Sequence, residues 1–491
     1  MNELNLTPSI LLLVTIGYFV LLAFIAKKTA KQATNLDFYN GSKQSPWYIV
    51  AFGMVGATLS GATFISVPGW VHNTQFSYLQ MVMGYTVGYA IIMYVLLPMY
   101  YKRNLISIYG YLNQRFGISS HKTGASFFIV SRIIGASFRL YLVTMVLHDF
   151  IFSHYGLPFW LTTLISLMLI WSYTVKGGIK TIIWTDTLQT FFMIAAILIA
   201  LFSIASALNL DFSGVVTTVT SHDYSRIFFF EGGWSDKNNF YKQFLAGALM
   251  AVVMTGLDQD MMQKNLSCKN LKDSQKNIRW FFVVLVMVNI VIMCLGVLLY
   301  VFANQQGIDL PVDSDGKLIT DKVFPSIALN HMPAYLGVVF LVGVLAAAYS
   351  SADSALTSLT TSYCLDIKSE INTPKKQRML IHFGFTVVLF VTIVVFKYTM
   401  NASAISGLFT LAGYTYGPLL GLFSFGMMTK RTVRDKYVPA VAILSPIITF
   451  VLNKYSQQLF SGYQFGFERL LINGVIMFLG LLVLSDNNKN R

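Results

Sequence analysis

Leu341-Val-Gly-Val-Leu-Ala-Ala-Ala-Tyr-Ser-Ser-Ala-Asp-Ser-Ala-Leu-Thr-Ser-Leu-Thr360 sets a carboxylate inside a stretch otherwise apolar enough to lie in a bilayer. A charge at the centre of a membrane helix costs about 2.5–3.5 kcal/mol on insertion scales, so Asp353 needs compensation. Positions 347, 350, 351 and 354 share one helical face, and Ser350, Ser351 and Ser354 place hydroxyls on it. A second carboxylate, Asp186, lies in Ile182-Ile-Trp-Thr-Asp-Thr-Leu-Gln189, between Thr185 and Thr187. Neither carboxylate has a lysine or arginine beside it in sequence, so no built-in counter-ion is expected. Hard oxygens carrying net negative charge suit a dehydrated alkali cation or a proton. The chain reads as one that binds a small cation inside a membrane.

The surrounding sequence supplies that membrane. Of the 491 residues, 55% are hydrophobic and only 11% charged, against about 25% charged in ordinary globular domains. Thirteen spans are expected, near residues 8–26, 48–73, 79–101, 123–152, 158–176, 182–209, 240–258, 279–303, 334–367, 377–398, 402–428, 436–455 and 466–485. The loops then alternate between a set holding 25 Lys/Arg and a set holding 8, with Arg132 and Arg139 inside a span. This bias places the N-terminus outside and the C-terminus in the cytoplasm of a multi-pass protein of the cell membrane. It also absorbs the net charge of +14, so a nucleic-acid partner is not expected. The bilayer is the expected partner, and short basic loops such as 264–279 and 368–378 suit its headgroups.

Several other functions are disfavoured. Cys268, Cys294 and Cys364 are too few and too scattered for a disulfide scaffold or a zinc site. Met1-Asn-Glu-Leu-Asn lacks a basic signal-peptide start, so the first span reads as a retained helix. The acidic run from Asp309 to Lys317 lacks the closing glutamate of a calcium loop and reads as a solvated hairpin. The seven histidines form no hydrolytic set, so an enzyme is not expected, nor an organic cofactor. A membrane sensor is the competing reading, but Arg491 follows the last span too closely to leave room for a signalling domain. His148 and His154 are assigned no role.

Setting aside the first span and the last two leaves ten, divisible as five plus five. Five is odd, so the halves, about 48–209 and 240–428, run in opposite directions, as in inverted-repeat transporters. The whole chain, 1–491, then forms one transmembrane domain. The first helix of half one holds Gly53-Met-Val-Gly-Ala-Thr-Leu-Ser-Gly-Ala-Thr63. That of half two holds Gly247 and Met254-Thr-Gly-Leu-Asp258. Small residues at matched places permit a helix break that frees carbonyls to bind an ion.

These features resemble the sodium:solute symporter family, which includes sodium/glucose, proline, iodide and sialic acid transporters. The resemblance rests on Gly177-Gly-Ile-Lys-Thr-Ile-Ile-Trp-Thr-Asp-Thr-Leu-Gln189, Gly56-Ala-Thr-Leu-Ser-Gly-Ala-Thr-Phe-Ile-Ser66, Asp258-Gln-Asp-Met-Met-Gln-Lys264 and Ala347-Ala-Tyr-Ser-Ser-Ala-Asp-Ser354. It implies an all-α, leucine-transporter-like core with one extra N-terminal and two extra C-terminal helices. It also implies sodium-driven import of a small organic solute by alternating access, with sodium as coupling ion and a single chain as working unit. The family's shared sodium site matches carbonyls of Gly56, Leu59 and Ala347 and hydroxyls of Ser350 and Ser351. A second sodium site, held by some members, matches Asp186, Ser350, Asp353 and Ser354.

At position 353 the sialic acid transporters resemble Ser, where this chain has Asp. Two carboxylates side by side could strengthen cation binding or force one to keep a proton, so proton coupling through Asp353 and Asp186 competes with sodium. Asp353 could instead pair with Arg132 or Arg139. Ser60, Thr63, Arg132 and Arg139 are the candidate solute contacts. The carboxylate-gripping arginine that the sialic acid members use aligns with Gly135 and their glutamine with Val82, so the resemblance does not imply sialic acid. A sugar, sugar acid, amino acid or other carboxylate remains open. Trp70, Tyr85 and Phe244 are candidate gating aromatics.

Overall fold

The computed structural model describes residues 7–29, 34–399 and 404–486. Positions 402 and 403 of the eleventh expected span, and Lys31, Lys489 and Arg491 of the basic set, lie outside them. Among the described residues the elements are helices apart from one antiparallel strand pair, Thr432–Val433 with Ser485–Asp486. A bilayer core offers no water to an unpaired backbone, so helices close their own hydrogen bonds before they cross.

Among the described residues nine continuous helical segments are long and apolar enough to cross a membrane, and two bent pairs, Phe240–Gly256 with Gln259–Leu266 and Ser406–Thr415 with Gly417–Met428, bring the count to eleven. The continuous segment Trp47–Lys102 divides at Gln75, whose φ of 51° ends the helix Trp47–Thr74. The shorter apolar helix Arg469–Val483 completes the set. Each of the thirteen expected spans therefore has a helix.

One long helix is buried over most of its length. In Ala334–Ser362 every residue from Gly343 to Ser362 is buried, whereas Pro8–Thr29 buries one stripe and exposes Leu13, Val20 and Phe24. The serine helix is thus the axis of the bundle. It packs against Trp47–Thr74, Ile118–Phe150 and Ile179–Ala207, all rich in small residues that let backbones approach.

Both halves begin with a broken helix. In Trp47–Thr74 the break falls at Ser60, with φ 44° and ψ 167°. In the second half the chain bends by 63° between Gly256 and Gln259. Asp258 restarts the helix there, its Oδ1 accepting from the N–H groups of Asp260 (2.9 Å) and Met261 (3.2 Å). The matched small-residue stretches are therefore where the helices part. Gly178 forms the turn into Ile179–Ala207 at φ 53°, and a side chain there would strike Phe38.

Loop contacts sort the molecule into two faces. On one, Asp366 joins Ser107 and His121, Arg115 binds carbonyls of Gly426 and Thr429, and Asp435 accepts from Ser119 and Ser120. On the other, Arg226 meets the end of the first broken helix at Phe76, and Lys242 reaches Gln464 and Glu468. All the loops joined on the first face belong to the basic set. The Asp309–Lys317 run is an exposed hairpin, with Asp313 Oδ1 accepting from the Asp315 and Lys317 N–H groups.

Candidate functional site

Ser350 and Ser351 leave the buried helix toward the break in Trp47–Thr74. The Ser351 hydroxyl lies 3.2 Å from the Ala57 carbonyl and 3.5 Å from the Ala347 carbonyl, and Ser350 Oγ lies 3.4 Å from Ala347. Two hydroxyls and two carbonyls from two helices thus converge beside the break at Ser60. These are neutral, hard oxygens, and each hydroxyl can turn its lone pairs inward when a cation arrives. The first-helix carbonyl in this cluster belongs to Ala57, one position beyond Gly56. The N–H of Gly56 donates to Thr190 Oγ1 at 3.1 Å. Leu59 sits directly before the break and is buried. Among the described residues no three His, Cys, Asp or Glu side chains converge as a metal cluster.

One turn along, Ser354 links the two carboxylates of the sequence. Ser354 donates its hydroxyl to Asp186 Oδ2 at 3.4 Å and its N–H to Asp353 Oδ1 at 2.6 Å. Tyr173 donates its hydroxyl to Asp353 Oδ2 at 3.1 Å. The expectation that Asp186 lacks a built-in counter-ion is overturned: Lys264 Nζ lies 2.6 Å from its Oδ2, and both side chains are buried. Lys264 therefore does not belong to a headgroup-facing loop either. The 258–264 stretch had marked the family without suggesting this role, because the pairing joins opposite halves of the chain. Tyr173 was missed for the same reason.

The alternative pairing of Asp353 with Arg132 or Arg139 is likewise overturned. Arg132 forms an ion pair with Asp260 and lies 3.9 Å from Asp258 Oδ2, the same oxygen that accepts from the Tyr416 hydroxyl. A buried guanidinium held by two carboxylates of the second broken helix ties that helix to Ile118–Phe150.

Arg139 is placed differently. It is 6% exposed, its Nε has no hydrogen-bond partner among the described residues, and no ion pair reaches it. It lines a cavity of about 70 Å³ together with Ser60, Thr63, Tyr85, Arg132 and Asn289. Asn289 Oδ1 is also buried without a partner. Ser60 and Thr63 thus share one space with both arginines. Gly135 lines a smaller pocket on the far side of the same arginines, whereas Val82 is buried away from both. Of the aromatics, Tyr85 reaches the cavity. Trp70 packs on Tyr78 and Phe244 stacks on Phe240, and neither lines it.

A model of the sodium:solute symporter family matches residues 38–436. The sodium/sialic acid symporter NanT of Aliivibrio fischeri is 26% identical over 439 residues, covering 85% of this chain and 84% of that protein. The sodium/sialic acid symporter SiaT of Proteus mirabilis is 24% identical over 466 residues, 90% of each. The solved substrate-bound, outward-open structure of a Na⁺-coupled sialic acid symporter superposes with a TM-score of 0.81, covering 97% of this chain and 99% of that one at 21% identity. At that identity the superposition speaks for the fold, the five-plus-five core read from the sequence. The family match and the two broken helices agree: the chain belongs to the sodium:solute symporter family and is a multi-pass, sodium-coupled solute symporter.

Proposed function

We propose that the transported solute is a small organic anion, with sugar acids as the leading class, gripped at its carboxylate by Arg139. The observation carrying this reading is the unpaired, buried guanidinium beside the cavity at the first helix break. A charge left without a partner at such depth is costly, and a carboxylate offers the bidentate partner that a guanidinium fits. Arg132 is already engaged by Asp260 and serves as a strut. Ser60, Thr63 and Asn289 offer polar contacts to the rest of the solute. The names of NanT and SiaT support the sugar-acid class. Arg139 stands one turn beyond Gly135 on the same helix, so a guanidinium still faces this space.

The coupling sodium is held by the Ala57 and Ala347 carbonyls, the Ser350 and Ser351 hydroxyls and a carbonyl at the Leu59–Ser60 break. Binding there fixes the broken helix against the serine helix, which shapes the neighbouring solute cavity; that shared wall is how ion and solute feel each other. The basic face lies in the cytoplasm of the cell membrane and both termini follow the charge bias, N-terminus outside. A single chain carries every group invoked.

Uptake into proteoliposomes under an inward sodium gradient tests the reading, with sialic acid and short monocarboxylates set against neutral sugars. Carboxylates are expected to accumulate and neutral sugars not. Arg139→Gln should raise the solute KM about thirtyfold or more, the scale of losing one buried charged partner, while sodium binding stays intact. Accumulation of neutral sugars with an unchanged KM in Arg139→Gln overturns the anion reading.

A further inference from the structure

A buried ammonium stands where a second cation would bind. Lys264 Nζ is 2.6 Å from Asp186 Oδ2, with side-chain exposures of 1% and 0%. Hard cations lie about 2.3–2.6 Å from carboxylate oxygens, so the ammonium already occupies an ion's distance. The same oxygen receives the Ser354 hydroxyl, and Ser354 in turn holds Asp353 through its N–H. Asp186, Ser354 and Asp353, three of the groups a second ion would need, are therefore linked beside the lysine. A further cation on Asp186 would meet the ammonium's charge at a few ångströms in a medium of low dielectric. The lysine comes from Gln259–Leu266, directly after the break in half two, and Asp186 from Ile179–Ala207 in half one.

We infer that Lys264 is a tethered cation that takes the place of a second sodium at Asp186 and Ser354, so that each transport cycle carries one sodium, held at the Ser350–Ser351 cluster. The inference rests on the sodium-symport reading of that cluster and deepens it by fixing the stoichiometry. It also distinguishes two uses of the pair. A purely structural ion pair, when cut, lowers stability whatever the salt. A tethered substitute, when neutralised, leaves a vacancy that sodium fills, so stability lost is regained by mass action as sodium rises.

The test uses the full chain purified in detergent, with sodium chloride titrated against choline chloride at constant ionic strength. Calorimetry counts bound sodium, and melting temperature is followed across the titration. The native protein should bind one sodium per chain with a slope of about one. Lys264→Gln, which keeps length and removes charge, should bind two, with a steeper slope and a larger rise in melting temperature than the native protein shows. Lys264→Arg should stay at one, as should the double variant Lys264→Gln with Asp186→Asn, which removes both charges. Two sodium ions bound by the native protein overturn the inference, even if Lys264→Gln fails to fold. So does a folded Lys264→Gln that binds one sodium with a native melting response. If neither protein binds sodium, the Ser350–Ser351 site falls as well, which separates failure of the underlying reading from failure of this one.

Discussion

Ser351 is the residue where two helices meet through one oxygen, reaching the Ala57 carbonyl of the broken helix and the Ala347 carbonyl of its own. Ser350→Ala or Ser351→Ala each removes one neutral ligand from a dehydrated ion, at about 1–3 kcal/mol. The apparent sodium affinity for uptake should fall about five- to hundredfold, with expression little changed. Native sodium dependence in both variants would remove this helix from the coupling mechanism. Asp353 separates sodium from proton coupling. Its oxygens are held by Tyr173 and the Ser354 N–H, outside the Ser351 cluster. Asp353→Asn should therefore keep uptake sodium-driven. Uptake driven by a pH gradient without sodium in the native protein, lost in Asp353→Asn, would replace sodium with the proton. Serines and carboxylates were legible in sequence because their chemistry is conspicuous in an apolar run. Lys264 was not, since a search along the chain sees sequence neighbours and the ammonium reaches Asp186 through the fold. The Ser351 contact with the Ala57 carbonyl has a related cause: sequence places a small-residue turn, while which carbonyl meets Ser351 depends on how far the helix rotates before it breaks.

At the scale of elements, the fold depends on backbones that touch. Gly84, in the helix after the first break, lies against the Phe244 carbonyl, and Gly247 lies against the Met81 carbonyl, so the second helix of half one and the first of half two meet without side chains between them. Gly247→Val or Gly84→Val would press a branched side chain onto a carbonyl that cannot move aside. Overpacking of this kind costs about 1–3 kcal/mol, and the melting temperature and the yield of monodisperse protein should both fall. Gly17→Val is the matched control, because a side chain there meets nothing within 4 Å. A melting temperature unchanged in Gly247→Val would mean that the halves do not pack this closely. Helix positions were legible at this scale, since about twenty apolar residues must cross a bilayer. The breaks were legible as runs of small residues. The bend angle was not, because the 63° turn at Asp258 is set by which neighbours receive the two segments.

At the scale of the whole molecule, charge decides orientation, and the structure refines the count that supports it. Lys264 and Lys242 are both buried in ion pairs, with Asp186 and Glu468, so neither counts as a surface charge. One comes from each set, and the bias survives their removal. The loops at Arg115, Asp366 and Asp435 gather on one face, so a single labelling experiment reports on the entire alternation. With Cys268, Cys294 and Cys364 replaced by serine, new cysteines at Lys269, Lys375 and Asp315, all exposed positions, provide the probes. A membrane-impermeant thiol reagent added to intact cells should modify Asp315→Cys and spare Lys269→Cys and Lys375→Cys until the membrane is opened. The reverse pattern would invert the protein and place the solute cavity on the opposite path. Labelling of Lys269→Cys and Asp315→Cys from the same side would be more damaging, because the one long helix between them, Leu271–Gln305, would then fail to cross. The alternation of thirteen spans could not survive that result, and neither could two halves running in opposite directions.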